Sequence, residues 1–550
     1  MPLYKSKFEP FSHGLNVLIK GKMLAPGETP SHMVERVVDA LIGAEDNFGT
    51  SQDDKDILAQ ELGRMLDEHC FVMSTPIITN AGRYADKPLS ACTVPSLDLA
   101  HDDVARIRKV VTHMHEDGMG TGFSLNDLED PVGTLKMLND IAVQGSRSGK
   151  EDRPVGNMAT LRFDNAHILD FIRAKVGADQ RGESWKFNIS VDCGPEFFKK
   201  LEDDDHVVLT DGSQCKAGYI FDEIVNAAHE CADPGLIFID RMECDNPTPC
   251  VGHYLTTAPC AEVGLAPGES CQFGYINLAT FVDDQGQLEV EKLKKAVHLM
   301  TRILDNALEI SIHNYSEASN REVMTKKRKI GIGICGLADV LLKKKLLYSS
   351  PEAREVALDI VTLINFESKK ASYELAKVRG SFGAMSAVVG NRHVENPSFI
   401  ERRYGALESK YVSISDWLEL SEKIRTEKIL RNASTIALPP TGRSALVVDA
   451  STGIEPIFSR DAYLLTHPGM SEEFHPYIET ATNIVPIDHL RMAAVLQKGV
   501  DESISKTINM PPGSSRDEVA EIYKAAWNLG LKGVSVYREG SKMKQPKPLS

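Results

Sequence analysis

From about Cys70 to the C-terminus, short apolar runs rich in β-branched residues alternate with longer helical patterns, as at Ala437–Val448 and Lys532–Tyr537. Strands that alternate with helices pack as parallel sheets covered by their helical crossovers, so this pattern predicts an α/β fold. No internal repeat, low-complexity tract or Gly/Ser-rich linker cuts the 550 residues, and one large domain over residues 71–550 is the simplest arrangement. Ahead of it, Met33–Ile42 and Ile57–Leu66 carry apolar residues at helical spacing, which predicts a small N-terminal helical part over residues 1–70.

Composition narrows the partners. With 42% hydrophobic and 25% charged residues the chain can bury a sizeable core, and 62 Lys+Arg against 78 Asp+Glu leave a net charge of −16. That charge disfavours general affinity for nucleic acid or an anionic membrane, so any bound phosphate must be held by local groups. No apolar run approaches the roughly 20 residues of a membrane span. The start Met1-Pro2-Leu3-Tyr4-Lys5-Ser6-Lys7 lacks the apolar segment of a signal peptide. A cytoplasmic protein is expected, whose ten irregularly spaced cysteines are thiols and whose disulfides, if any form, are transient and catalytic.

Three cysteines sit in distinctive surroundings. Cys260 lies in Thr257-Ala258-Pro259-Cys260-Ala261-Glu262, Cys271 in Glu269-Ser270-Cys271-Gln272-Phe273-Gly274-Tyr275-Ile276-Asn277-Leu278, and Cys92 in Leu89-Ser90-Ala91-Cys92-Thr93-Val94. These motifs, in this order, resemble the catalytic subunit of ribonucleotide reductase. The segments Glu502–Pro511, Ala526–Gly533 and Tyr537–Ser541 resemble the C-terminal end of the adenosylcobalamin-dependent, or class II, branch. The iron-dependent branch has two adjacent tyrosines near this point where this chain has only Tyr537, and the glycyl-radical loop of the oxygen-sensitive branch is not found.

The resemblance implies a ten-stranded α/β barrel of two five-stranded parallel halves running opposite ways, with a central finger loop that carries Cys260 at its tip. It implies that Cys260 becomes a thiyl radical, that Glu262 handles the proton of the substrate 3′-hydroxyl, and that Cys92 and Cys271 supply two electrons and close as a disulfide. The cofactor would be adenosylcobalamin and the substrate a ribonucleoside di- or triphosphate. No cysteine follows Cys335, so either reduction comes from outside, from another chain or a small thiol, and an external thiol reductant is the partner expected, or the chain consumes no reductant.

Further segments match by the same resemblance. Ser74-Thr75-Pro76 with Asn80-Ala81-Gly82, and Pro440-Thr441-Gly442-Arg443-Ser444-Ala445 ahead of Ser451–Pro456, correspond to the phosphate-binding turns, where backbone N–H groups and an arginine suit an anion. Ser90, Ala91 and Ala258 flank the reacting groups. Gly120 and Gly122, in the glycine-rich Gly118–Phe123, are expected in a loop beside the nucleoside. Gly145–Pro154 and Lys175–Ser184 correspond to loops through which an effector nucleotide acts at the interface of a homodimer.

The chain departs from the family's Asn-x-Cys-x-Glu pattern. Ala258 stands in place of the asparagine and cannot donate a hydrogen bond, so another polar group such as Asn277 or Ser90 would have to compensate. This leaves as alternatives a diverged radical enzyme acting on another nucleotide or nucleoside, and a silent nucleotide-binding homologue. A cysteine hydrolase has no histidine with motif support. Cys244, Cys250 and His253 fit no common zinc spacing, no metal site is expected, and Cys193, Cys215, Cys231 and Cys335 are expected as core thiols.

Overall fold

The computed structural model describes residues 2–148, 155–387, 393–467 and 469–541. The two helices expected near the N-terminus are Pro30–Gly43 and Gln52–Asp67, each opened by a hydroxyl cap, Thr29 Oγ1 on the His32 N–H and Ser51 Oγ on the Asp54 N–H. Val34, Val38, Leu41 and Leu62 from their apolar stripes are buried in the same core as the strands that follow.

Strands begin at Phe71. β1 (Phe71–Met73), β2 (Cys92–Thr93), β3 (Gly120–Ser124), β4 (Asn157–Arg162) and β5 (Phe187–Asp192) come first, then a hairpin of β6 (His206–Val208) and β7 (Gln214–Lys216), then β8 (Gly235–Ile237). β9 (Thr256–Thr257) and β10 (Gly264–Leu265) form a second hairpin, followed by β11 (Ser270–Cys271) and β12 (Phe273–Asn277). β13 (Gly331–Cys335), β14 (Thr507–Met510) and β15 (Gly533–Arg538) complete the described strands.

One sheet has the order β11-β2-β3-β4-β5-β8-β15-β14. Its strands β2, β3, β4, β5 and β8 are mutually parallel, and β11 and β15 pair antiparallel at either side of them. A second sheet has the order β1-β12-β13, with β12 and β13 parallel. The parallel strands are buried on both faces, as parallel sheets must be: all five residues of β13 and of β12 are buried. The helix Val290–Asn314 packs against β12 and β13, and the helix Pro351–Arg379 packs in turn on that helix. The fold is mixed α/β with parallel sheets, as expected, but the described strand ladders do not close into a ring. Among the described residues, isolated bridges, Ile332 with Ile436 and Leu438 with Ile504, link β13 to the segment ahead of β14.

The run Ala437–Val448 is not the strand its apolar pattern predicts. It stays extended only to Leu438, where Pro439 and Pro440 remove two ladder donors, and then turns into the helix Arg443–Val447. Lys532–Tyr537 does form its strand, β15.

A buried ionic cluster fastens the N-terminal part to the rest. Asp305 takes Arg328, Arg379 and Arg431, and Glu45 takes Arg302 and Arg379. Burial alone would raise the pKa of the Asp305 carboxyl, but three guanidinium groups outweigh it and hold the group well below the usual carboxylate range.

Candidate active site

The hairpin β9 to β10 stands where the finger is expected, paired in the register Gly264 to Thr257 and Leu265 to Thr256. Its tip is a tight turn: the Ala261 N–H donates to the Ala258 carbonyl (2.9 Å), the Ala258 N–H donates to the Val263 carbonyl (3.0 Å), and Cys260 sits inside. Ala261 has φ of 62°, a left-handed conformation that costs a non-glycine residue about 1 kcal/mol. The surroundings hold it there. Asn188 Nδ2 donates to the Pro259 carbonyl (2.9 Å), Thr160 Oγ1 to Thr256 Oγ1 (3.1 Å), and the Ser503 N–H to the Glu262 carbonyl (3.0 Å).

Gly118–Phe123 is not the loop expected; Gly120–Ser124 is strand β3. Its glycines make room for the finger. A Cβ on Gly122 would stand 2.3 Å from the Thr257 carbonyl oxygen, and one on Gly120 would stand 2.9 Å from Pro259 Cγ and 3.6 Å from Cys92 Sγ. The prolyl ring beside Cys260 and the Cys92 thiol therefore face the same space, which Gly120 leaves open.

Cys260 is half-buried and Glu262 is 2% exposed. Burial raises the Glu262 pKa to about 7, against the N–H groups of Glu262 and Cys260, which favour the carboxylate. Its Oε2 atom has no hydrogen-bond partner among the described residues. A buried carboxyl poised near neutrality, with one oxygen unengaged, can accept a proton from a ligand held against it.

Cys92 and Cys271, 179 positions apart in sequence, stand opposite each other across the β2 and β11 pair. The Cys271 thiol points to the Cys92 carbonyl at 3.7 Å, and both residues are buried thiols. Cross-strand neighbours have Cα atoms about 4.5–5.5 Å apart, within the span a disulfide bridges.

Neither of the two groups expected to compensate for Ala258 is available to do so. Asn277 donates to the His69 carbonyl (3.1 Å) and accepts the Ala279 N–H (3.3 Å). Ser90 is turned into the protein, where it meets Tyr315 and Gln272. Ala258 itself is fully buried, and Ala91 adjoins Cys92 at the edge of β2.

The two segments expected to hold phosphate are neighbours, because the helix Arg443–Val447 packs against β1, the strand that ends at Met73, just before Ser74. Gly442 opens that helix with φ of 47°. Thr441 Oγ1 accepts the Gly453 N–H (2.7 Å), tying the turn Pro440–Ala445 to Ser451–Pro456, and the Ser444 N–H returns to the Thr441 carbonyl (3.0 Å). Arg443 is exposed, Thr75 half-buried, and the Ser74 hydroxyl is buried with no partner among the described residues. Ala445 is part of the core.

Of the two loops expected to meet an effector, Gly145–Ser148 ends the helix Pro131–Ser148, and 149–154 lie outside the described residues. In the other, buried Lys175 is fixed by Asp233 Oδ2 (2.6 Å) and the Phe187 carbonyl (2.7 Å), whereas Arg181 and Glu183 form an exposed pair. Cys193 and Cys335 are core thiols; Cys215 and Cys231 are only half-buried, Cys215 because it lies on the β6 and β7 hairpin. Cys244 and Cys250 are exposed, and His253 is held by Glu243.

Comparison with known proteins bears on these features directly. The family model described as ribonucleotide reductase, barrel domain, matches residues 90–464 and 462–537. The chain belongs to the ribonucleotide reductase barrel-domain family. It is 31% identical over 536 residues to the vitamin B12-dependent ribonucleoside-diphosphate reductase of Thermoplasma acidophilum, covering 86% of this chain and 64% of that protein. It is 28% identical to the enzyme of the same description from Mycobacterium tuberculosis, covering 95% and 79%, and 22% identical to the vitamin B12-dependent ribonucleotide reductase of Streptomyces coelicolor, covering 94% and 63%. The chain thus spans less than two thirds of the length of the Thermoplasma and Streptomyces relatives.

Sequence motifs pointed to Cys260, Glu262, Cys92 and Cys271, and the fold gathers the finger and the cysteine pair around β3. Tyr315 and Asn320, which meet the neighbours of the pair, carry no motif; only their position in the fold reveals them.

Proposed function

We propose that this chain reduces ribonucleotides to 2′-deoxyribonucleotides by radical chemistry at Cys260. The observation that carries the reading is the register of β2 against β11, which sets two thiols from distant parts of the sequence side by side next to the finger. Adenosylcobalamin, when bound, supplies the radical that takes the hydrogen atom from Cys260, and the half-buried thiol at a fingertip suits that access. The Cys260 thiyl removes the 3′ hydrogen of the ribose, and Glu262 takes the 3′-hydroxyl proton. The pair Cys92 and Cys271 protonates the departing 2′-hydroxyl, which leaves as water, and gives two electrons as its sulfurs join. Cys260 then returns the hydrogen to C3′. Ribonucleotide and two thiols become deoxyribonucleotide, water and one disulfide, so the balance closes.

The remaining assignments extend this reading. The substrate is a ribonucleoside diphosphate, the class in the names of the Thermoplasma and Mycobacterium relatives, with its phosphates at Ser74, Thr75 and Pro440–Ala445 and its nucleoside near Ala91, Gly120 and Ala258. An external thiol reopens the disulfide in the cytoplasm, and the chain works as a homodimer with an effector nucleotide at the interface. Residues 1–70 form the helical part and 71–550 the barrel domain. Its ten strands fall in two parallel sets of five; the five parallel strands of the larger sheet, the antiparallel joins at β11 and β15, and the bridges at Ile436 and Leu438 support that arrangement. No helix among the described residues is long and apolar enough to cross a membrane. Ala258 favours a second reading, in which the same machinery acts on another nucleotide or nucleoside.

The test incubates the protein with adenosylcobalamin, dithiothreitol and each ribonucleoside, diphosphate and triphosphate. Deoxynucleotide from a diphosphate, with a cob(II)alamin signal in the spin-resonance spectrum, is the expected result. Product only from a nucleoside supports the second reading, and neither product nor signal overturns both.

A further inference from the structure

Two polar clasps bracket the cysteine pair. On one side stand Ser90, two residues before Cys92, and Gln272, next to Cys271. Gln272 Nε2 donates to Ser90 Oγ (2.6 Å) and to Ser311 Oγ (2.6 Å), the Tyr315 hydroxyl closes on Ser90 Oγ, and the Leu89 N–H donates to Ser311 Oγ (2.9 Å). On the other side stand Thr93, next to Cys92, and Ser270, next to Cys271. The Asn320 amide Nδ2 reaches both, Thr93 Oγ1 at 2.9 Å and Ser270 Oγ at 3.2 Å, and the Gly268 carbonyl at 2.9 Å. All of these side chains are buried, Tyr315 at 2% exposure and Asn320 at 1%.

The need for such clasps follows from the length of the ladder. β2 and β11 pair over only two residues each, continued by backbone bonds from the Ala91 N–H to the Cys271 carbonyl (3.1 Å) and from the Val94 N–H to the Glu269 carbonyl (3.0 Å), and strands this short lie below the usual length of about 3–10 residues. The clasps add side-chain ties on both sides of this short ladder. Their fixed partners come from outside both strands: Ser311 and Tyr315 from the end of the helix Val290–Asn314, Asn320 from the helix Ala318–Lys327. Each joins the residue flanking one cysteine to the residue flanking the other. Burial also raises the Tyr315 pKa to about 12, so its hydroxyl keeps its proton across the working range.

We propose that Tyr315 and Asn320 are positioning residues that hold Cys92 and Cys271 at disulfide distance in both oxidation states, so that the pair closes and reopens without moving the strands. The proposal rests on the reading of this pair as the reductant. In closing, each thiol loses its hydrogen, two electrons leave, and one S–S bond forms. In reopening, a thiolate of an added dithiol attacks one sulfur, and the dithiol ends as the cyclic disulfide. A thiol held at the right distance acts at high effective molarity toward its partner, and loosening it lowers the closing constant directly.

The full chain is equilibrated in buffers of reduced and oxidised dithiothreitol, thiols are trapped with acid and alkylated, and the Cys92 to Cys271 disulfide is quantified by peptide mass. Tyr315→Phe and Asn320→Ala are each expected to lower the closing constant about tenfold, which is about 30 mV for a two-electron couple. Thr93→Val, which keeps the shape and removes one clasp acceptor, is expected to move it in the same direction by a smaller factor and serves if the larger changes prevent folding. The control is Tyr404→Phe, which removes another buried tyrosine hydroxyl, one bonded to Asp501 and Asn365; it is expected to lower stability and leave the constant unchanged. Closing constants in the clasp variants equal to that of the unaltered chain, or an equal shift in Tyr404→Phe, overturn the proposal. A chain that forms no Cys92 to Cys271 disulfide in any buffer overturns the reading of the pair as reductant, and the clasp proposal with it.

Discussion

Gly122→Ala tests whether β3 is glycine-rich to admit the finger. The added Cβ would stand 2.3 Å from the Thr257 carbonyl oxygen, with Thr256 Cγ2 at 3.2 Å and Val94 Cγ2 at 3.3 Å. Ordinary carbon–oxygen contact is roughly 1 Å longer than that. The obstacle is backbone and cannot rotate aside, so the finger must retreat by about 1 Å. Overpacking of this kind costs about 1–3 kcal/mol of stability, and a misplacement of about 1 Å costs on the order of 100-fold in rate. Gly156→Ala is the matched control, because its Cβ would meet Pro259 Cβ at 3.5 Å, an ordinary contact. Deoxynucleotide formation and urea unfolding are measured on both variants. Gly122→Ala is expected to stay folded and lose about two orders of magnitude in turnover, with Gly156→Ala close to the unaltered chain. Turnover of Gly122→Ala within a factor of about two would refute the reasoning.

Other outcomes follow from the buried charges and thiols. The Glu262 pKa is raised from 4.5 to about 7, so the folded chain holds a proton there that the unfolded chain releases, and that stability is lost as pH rises from below 5 toward 8. Glu262→Gln is therefore expected to gain about 2.5 kcal/mol relative to the unaltered chain between pH 5 and pH 8, checked by urea unfolding at both. In the same variant the rise of kcat/KM with pH up to about 7 should vanish together with most of the rate. Lys327 lies 2.6 Å from Glu269, both fully buried, with Lys329 bridging Glu269 and Glu502. Lys327→Met should cost about 3–5 kcal/mol, whereas Lys199→Met, which breaks an exposed and solvent-screened pair with Asp203, should cost far less; equal costs would contradict the account of the cluster. Cys260→Ser should keep the unfolding midpoint and abolish deoxynucleotide formation, because an O–H bond is too strong to replace the thiyl; product above a trace would sink the assignment.

The sequence was legible where one local rule governed the outcome. Apolar periodicity alone places the helices Pro30–Gly43 and Gln52–Asp67, and the motif around Cys260 and Glu262 marks the finger. It misled where a short signal had two physical uses. The glycines of β3 suit a ligand loop as well as a strand crossed closely by another backbone, and only the finger's position decides between them. The apolar run at Ala437–Val448 outweighed two prolines that in fact stop the strand. What escaped entirely are contacts between residues far apart in the chain: Tyr315 meets Ser90 across 225 positions and Asn320 meets Thr93 across 227, and no local pattern encodes such meetings.

The most direct test of the central claim is a single turnover without external thiol. Pre-reduced protein, freed of reductant, is mixed with adenosylcobalamin and a ribonucleoside diphosphate, and deoxynucleotide and disulfides are quantified in the same sample. The account predicts one deoxynucleotide per chain and an equal amount of disulfide linking Cys92 to Cys271, with neither in Cys260→Ser. Deoxynucleotide formed while Cys92 and Cys271 stay reduced would contradict it.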